Sequence, residues 1–286
     1  MNYCLVSSGF QLLNVYEYSQ VNYIKINYFA LYDTAQEKLQ ILNTANYLNI
    51  KKVIFIERKK IKTYFKLLLI FFSKRVNLFI IGHLEDNHML FASKIVKFKK
   101  VVLVDDGMST LKDYNHYFDP KTIKIKYPKE LIFFSIFKFK NDKYYSKNNL
   151  EHILKIKKSI SNEVFFIGQP MENLLGVSDY YSTLKKIIEK NPSMVYISHR
   201  RDSLQKLKYI KDVLGIRVLR LDEIVELFLI KSTSIPKKVI SFYSTTLVTL
   251  KILFKEQIEV NYVTKNKLLS NDLIEVFENF NIKSEL

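Results

Sequence analysis

The sequence predicts an α/β chain of two Rossmann-like domains, on three observations. Short apolar runs rich in Val, Ile and Phe recur along the chain, segments of helical period lie between them, and one stretch that fits neither pattern divides the series in two. Alternating strands and helices imply parallel sheets with crossover helices. At 286 residues the chain is long enough for two domains, each with a buried core.

In the first half the strand candidates are Tyr3 to Ser7, Tyr23 to Leu31, Lys52 to Glu57, Leu78 to Ile81 and Val101 to Val104. In the second half they are Glu163 to Ile167, Met194 to Ser198, Arg217 to Leu221, Lys238 to Tyr243 and Ile258 to Val263. Between them, segments such as TAQEKLQILNTANYL and SLQKLKYIKDVL repeat apolar residues every three or four positions, as an amphipathic helix requires. The Lys-, Tyr- and Phe-rich stretch from Leu111 to Asn149 separates the two series. This puts the domains at 1–150 and 151–286, with five strands expected in each.

Composition narrows the classes. Hydrophobic residues make up 48% and charged residues 26%, which fits a globular protein and excludes disordered and collagen-like chains. The 45 Lys and Arg against 28 Asp and Glu leave a formal charge of +17, favouring anionic partners without choosing among nucleic acid, acidic lipid and phosphorylated substrates. The lone Cys4 excludes an internal disulfide and a multi-cysteine zinc site, and its apolar neighbours suit a buried thiol. MNYCLVSSGF lacks the basic and apolar regions of a signal peptide. The most apolar stretch, YFKLLLIFFSKRVNLFII, is interrupted by Lys66, Lys74 and Arg75 and so falls short of a membrane span. A cytoplasmic protein, soluble or peripheral on the inner membrane face, is expected.

Ligands of open α/β sheets bind outside the strand C-termini, so the residues there are the chemical candidates. Gly9, Gly82, Gly107 and Gly168 each fall within three residues of such an end, where a missing Cβ admits a ligand; ordinary tight turns would place them alike. VVLVDDG sets Asp105 and Asp106 after an apolar strand, where partial desolvation tunes a carboxylate toward a general base. Helix N-capping by Asp105 is the plainer alternative. MVYISHRRD puts His199, Arg200 and Arg201 at a second strand end, suited to acid catalysis or phosphate contact, although a surface histidine beside solvated arginines reads the same. After KVISFY come Ser244, Thr245 and Thr246, then an apolar helical run. This forms an anion site at a helix N-terminus or a simple N-cap.

Together VDDG, SHR and YSTT, about 90 and 45 residues apart, resemble the ordered motifs of bacterial sialyltransferases of the GT-B fold. The likeness is to the lipooligosaccharide sialyltransferases (glycosyltransferase family 52) and the related polysialyltransferases. Gln11 in SSGFQLLNVYEY, Gly168 and Gln169 in FFIGQPM, and Glu226 in DEIVELFL resemble further segments of that family. The family's Pro after His is Arg200 here, a departure that bears on the geometry of His199.

The resemblance implies two Rossmann-like domains facing a central cleft, with the acceptor and base in the first and the donor in the second. The donor would be a CMP-activated nonulosonic acid and the acceptor a hydroxyl on a terminal sugar of a cell-surface glycan, transferred with inversion. Asp106 would be the base, with Gly9, Gln11, Asp105 and Gly107 beside it. His199 would stabilise or protonate the departing phosphate, Ser244 and Thr245 would hold it, Glu226 would take the ribose, and Gly168, Gln169 and Arg200 would complete the donor site. Neither a metal nor another cofactor is expected.

Two other readings stay open. The charge, with 40 Tyr and Phe, satisfies the electrostatic footprint of a nucleic-acid-binding protein, although the basic residues are dispersed and no RRM, KH or zinc-finger pattern is present. A GT-B enzyme using a nucleoside-diphosphate sugar is the other. The basic, aromatic segment Lys126 to Lys147 has the composition of a membrane-surface element, and equally that of a core strand or helix with a lysine edge.

Overall fold

The computed structural model describes residues 1–118, 131–139, 142–153, 157–264 and 271–286. The chain divides into two compact units, Met1–Ile153 with Asp222–Ile224, and Leu154–Leu221 with Val225–Leu286.

The first unit alternates β1 (Asn2–Val6), α1 (Gly9–Val21), β2 (Asn27–Tyr32), α2 (Ala35–Tyr47), β3 (Val53–Glu57), α3 (Lys60–Phe71), β4 (Arg75–Ile81), α4 (Asn87–Ile95), β5 (Lys97–Val104) and α5 (Ser109–Phe118), followed by β6 (Leu131–Ser135) and β7 (Tyr145–Lys147). Its seven strands are ordered β3-β2-β1-β4-β5-β6-β7, and every pairing is parallel. The second unit runs β8 (Ser159–Ile167), α6 (Glu172–Leu175), α7 (Val177–Lys190), β9 (Met194–Ile197), α8 (Leu204–Asp212), β10 (Arg217–Leu219), α9 (Val225–Lys231), β11 (Ser234–Ser241), α10 (Thr245–Phe254), β12 (Glu259–Tyr262), α11 (Asn271–Asn279) and β13 (Lys283–Ser284). Its six strands are ordered β10-β9-β8-β11-β12-β13, again all parallel.

Both sheets behave as buried parallel sheets do, with near-continuous apolar strands covered by helices. In the first, Cys4, Val6, Ile80, Val102, Val104 and Phe134 pack with Leu12, Val15, Tyr18, Ile41 and Ala45. Burial pushes the Cys4 thiol up to about 12. In the second, Val164, Phe166, Tyr196, Ile240 and Phe242 meet Tyr180, Leu184, Ile187 and Ile210.

The strand order reverses once in each sheet, between β1 and β4 and between β8 and β11. At such switch points the loops leave in opposite directions and open a crevice beyond the strand C-termini.

The stretch from Leu111 to Asn149 is not a divider. It carries most of α5, then β6 and β7, which extend the first sheet. Leu131, Phe133, Phe134, Ile136, Phe137 and Phe139 are buried, so the described apolar part of the segment Lys126 to Lys147 is core rather than a membrane-facing surface. Lys126, Lys129 and Lys140 lie outside the described residues. No helix among the described residues is long and apolar enough to cross a membrane.

On α3, Phe71 is fully buried and its ring meets Tyr3, Phe29 and Phe79, whereas the next residue, Phe72, is 63% exposed. We expect Phe71→Ala to cost about 3–5 kcal/mol in urea denaturation and Phe72→Ala to stay within about 0.5 kcal/mol.

Candidate functional site

Two constellations form, one at the C-terminal strand edge of each unit. In the first, Ser8 caps α1 by accepting from the Gln11 backbone N–H at 3.1 Å. The buried Gln11 side chain turns back toward the sheet. Its Oε1 accepts from the Ser7 N–H at 2.7 Å and its Nε2 donates to Asp106 Oδ1 at 2.5 Å. A Cβ on Gly82, at the end of β4, would come within 2.1 Å of the Gln11 amide, so this glycine makes room for Gln11 at the switch point. Gly107 takes φ +83°, which lets the chain turn directly into α5.

The paired carboxylates part company. Asp105 is fully buried, where its carboxylate accepts from Ser135 Oγ at 2.5 Å and from the Ile136 N–H at 2.8 Å. Burial, opposed by these hydrogen bonds and assisted by the charge of Asp106, pushes it up to about 7. It ties β5 to the end of β6 and is closed to substrate, which corrects its expected place in the cleft. Asp106 is half-buried, its N–H donating to Thr110 Oγ1 and its carboxylate held by Gln11. Gly9 is likewise a packing residue, since a Cβ there would lie 2.7 Å from Thr44 Oγ1 on α2.

His83 also stands at this edge. Its Nδ1 lies 2.9 Å from Asp113 Oδ2, which also accepts from the Leu84 N–H at 3.0 Å. Burial opposes protonation of the ring, but the hydrogen bond and charge of Asp113, with the charges of Asp106 and Asp86, outweigh it and raise the histidine above its ordinary value. Among the described residues, His83, Glu85 and Asp113 alone group three possible metal ligands, with atoms within 4.8 Å of one another. Sequence reasoning passed over His83, although it follows a flagged strand-end glycine just as His199 ends a strand.

In the second unit the loops after β9, β8 and β11 are neighbours because those strands are. Gln169 Oε1 accepts from Ser241 Oγ at 3.3 Å and from the Tyr243 N–H at 3.1 Å, stapling the loop after β8 to the end of β11 across the switch point. Ser244 is the N-cap of α10, its Oγ accepting from the Thr246 N–H at 3.2 Å, and Thr245 opens the helix. No acidic residue occupies that first turn; the carboxylate shown against α10 is that of Glu226, which the Thr246 and Thr249 hydroxyls bind.

After β9 the chain wraps around Asp202, whose Oδ2 accepts from the His199 N–H at 2.8 Å and from Tyr196 Oη at 2.9 Å. Lys206, buried on α8, pairs with Asp202 at 2.8 Å and Glu172 at 2.6 Å, donates to the Gln169 carbonyl at 3.0 Å, and sits 4.4 Å from the Tyr180 ring centroid. A buried lysine needs such pairing. In the sequence it was one lysine among several on an amphipathic helix, with nothing to mark it. Gly168 has its own reason, since a Cβ there would fall 2.2 Å from Tyr196 Oη. The glycine admits tyrosine rather than ligand.

His199 is neutral. Burial, then the adjacent Arg200 charge, hold it down at about 4 against the opposing charge of Asp202. Its Nδ1 accepts from the Arg201 N–H at 3.1 Å, which leaves the ring proton on Nε2. At neutral pH the ring is therefore a hydrogen-bond donor without charge. Glu226, expected at a ribose, is buried on α9 and accepts from Thr249 Oγ1 at 2.7 Å. Burial raises it, against that hydrogen bond and one from Thr246.

No family model matches the chain, and no curated protein does. Solved structures do. A 2,6-sialyltransferase from Photobacterium sp. JT-ISH-224, in complex with CMP and lactose, matches with a TM-score of 0.55 at 10% identity over 98% of this chain and 76% of its own. S. aureus MnaA in complex with UDP matches with a TM-score of 0.54 at 10% identity over 93% and 80%. The fold is GT-B-like, a pair of parallel-sheet Rossmann-like domains.

One consequence concerns Asp105. Its folded value lies above the unfolded one, so the stability it contributes is complete below about pH 4 and is lost as pH rises through about 7. The melting temperature of the native protein should fall between pH 5 and 8 by more than that of Asp105→Asn, whose amide mimics the protonated acid. Scanning calorimetry across that range checks it.

Proposed function

We propose that this chain is an inverting glycosyltransferase that moves a nonulosonic acid such as sialic acid from a CMP-activated donor to a sugar hydroxyl. The observation that supports the reading is the set of donors and cations along the C-terminal edge of β9, β8 and β11, where the proposed phosphate would bind. A neutral His199 with its proton on Nε2 and two arginines follow β9, and Ser244 with the N-terminus of α10 follows β11, on the same C-terminal edge of one parallel sheet. The resemblance of the ordered motifs to family 52 sialyltransferases narrows the phosphate to CMP. The GT-B-like fold supports a nucleotide-sugar enzyme more broadly and favours it over nucleic-acid binding.

In this mechanism Asp106 takes the proton of the acceptor hydroxyl as its oxygen attacks the anomeric carbon. The bond from that carbon to the CMP phosphate oxygen breaks, and the configuration inverts. Gln11, donating to Asp106 Oδ1, orients the base. A phosphomonoester leaves with a second pKa of about 6, so it needs charge stabilisation more than a proton. The lowered pKa of His199 suits that division: it donates a hydrogen bond through Nε2–H while Arg200 and Arg201 supply the charge. Ser244 and Thr245 present the α10 N-terminus to the same phosphate. Gln169 positions the β8 and β11 loops. Glu226 supports α9 against α10, with no contact to ribose in this scheme.

Asp106→Asn should lower kcat by about 10²–10⁴-fold while CMP affinity in calorimetry stays unchanged, because the base acts on the acceptor. Calorimetry with CMP, UDP and single-stranded RNA tests the donor class directly. Tighter binding of UDP would move the chain to nucleoside-diphosphate sugars, and binding of RNA alone would overturn the enzyme reading.

Turnover should survive excess EDTA. Loss of activity that Mg²⁺ or Mn²⁺ restores would implicate His83, Glu85 and Asp113 and refute the metal-free scheme.

A further inference from the structure

The outward face of α3 is apolar, where a surface helix should be polar. Ile61, Phe65, Leu69 and Phe72 are 83, 60, 69 and 63% exposed. Their spacing of four, four and three residues confines them to an arc of about 80° along the helix and its C-cap. Thr63, Leu67 and Phe71 occupy the opposite side and are fully buried, so the helix is held to the sheet by one face and offers a second apolar face to its surroundings.

Cations lie along one side of this stripe and beyond its C-terminal end. Lys62 and Lys66 are exposed beside it on α3, and Lys74 and Arg75 follow Phe72. Lys97, opposite Arg75 in the sheet, donates its N–H to the Lys74 carbonyl. Among the described residues none of these five is paired with an acid. From Arg58 to Lys100 the chain carries eleven Lys and Arg against two acids, Glu85 and Asp86. Four exposed apolar side chains flanked by these cations fit a surface that is apolar beneath and anionic above.

We propose that the α3 face docks on an anionic lipid bilayer, with Ile61, Phe65, Leu69 and Phe72 entering the interface and the flanking lysines and Arg75 meeting the headgroups. A second copy of the chain is the poorer occupant, because a two-fold contact through this face would set the same cations against each other. The proposal rests on exposure and charge alone and stands apart from the transferase reading.

The chain has no tryptophan, so Phe65→Trp places a single fluorophore on the stripe without removing its apolar character. Vesicles of phosphatidylglycerol with phosphatidylcholine should shift its emission to the blue and bind the protein in sedimentation. Pure phosphatidylcholine should bind it about tenfold or more weakly, and raising salt from about 0.1 to about 0.5 M should release it. Phe65→Gln with Leu69→Gln, and separately Lys62→Gln with Lys66→Gln, should each weaken binding about tenfold while leaving the melting temperature unchanged, since all four side chains are exposed. Binding that ignores either pair, or no binding to anionic vesicles, overturns the proposal. So does a native dimer that Phe65→Gln with Leu69→Gln converts to monomer, which would make the face a contact between copies. The vesicles contain no glycan acceptor, so failure here leaves the transferase reading untouched, and the reverse holds too.

Discussion

Every strand pairing in the two sheets is parallel, and the rest of the molecule follows from that constraint. A parallel strand returns the chain to its starting edge through a helix, so all loops after strands collect on one side. Gln11, Gly82 and Asp106 thus meet although they are far apart in sequence, as do Gln169 and Tyr243. The N-termini of the helices lie on the same side as the strand ends. The polar residues at these edges hold one another first, through Gln11 to Asp106 and Gln169 to Tyr243, before any ligand is present.

Burial assigns different tasks to chemically identical neighbours. Asp105 and Asp106 point to opposite sides of an extended chain. One meets Ser135 and Ile136 in a dry interior, the other meets Gln11 at the rim. Likewise Phe71 holds α3 to the sheet while Phe72 leaves it. In both pairs a single step along the chain separates a group that holds the fold from one that faces outward.

Much of this was legible in the sequence, and the omissions have physical causes. Each apolar run became a strand, but β4, β5, β8 and β11 begin earlier than read; in β5 and β8 the first residues, KFKK and SISN, are exposed or half-buried and only the C-terminal halves are buried. β6 was missed because LIFFS lay among lysines and tyrosines that gave it an interfacial look. β7 and β13, three and two residues long, are too short to carry a period. That Asp106, His199 and Ser244 stand at strand ends was legible, because position in an α/β sheet is a local property. What Gly9, Gly168 and Glu226 do was not legible, since it depends on Thr44, Tyr196 and Thr249, each supplied by another element. Lys206 was invisible for the same reason.

Cys4, alone of its kind, stands in a central strand with its thiol fully buried and raised to about 12. A disulfide exchange reagent attacks only thiolate, so in the folded chain this sulfur is inert twice over, by access and by ionisation. Labelling can proceed only through molecules whose first sheet has opened. Its rate under gentle conditions is therefore a clock for the opening of the first unit, set by the chain itself, and a sheet in the second unit that opened by itself would leave that clock unmoved.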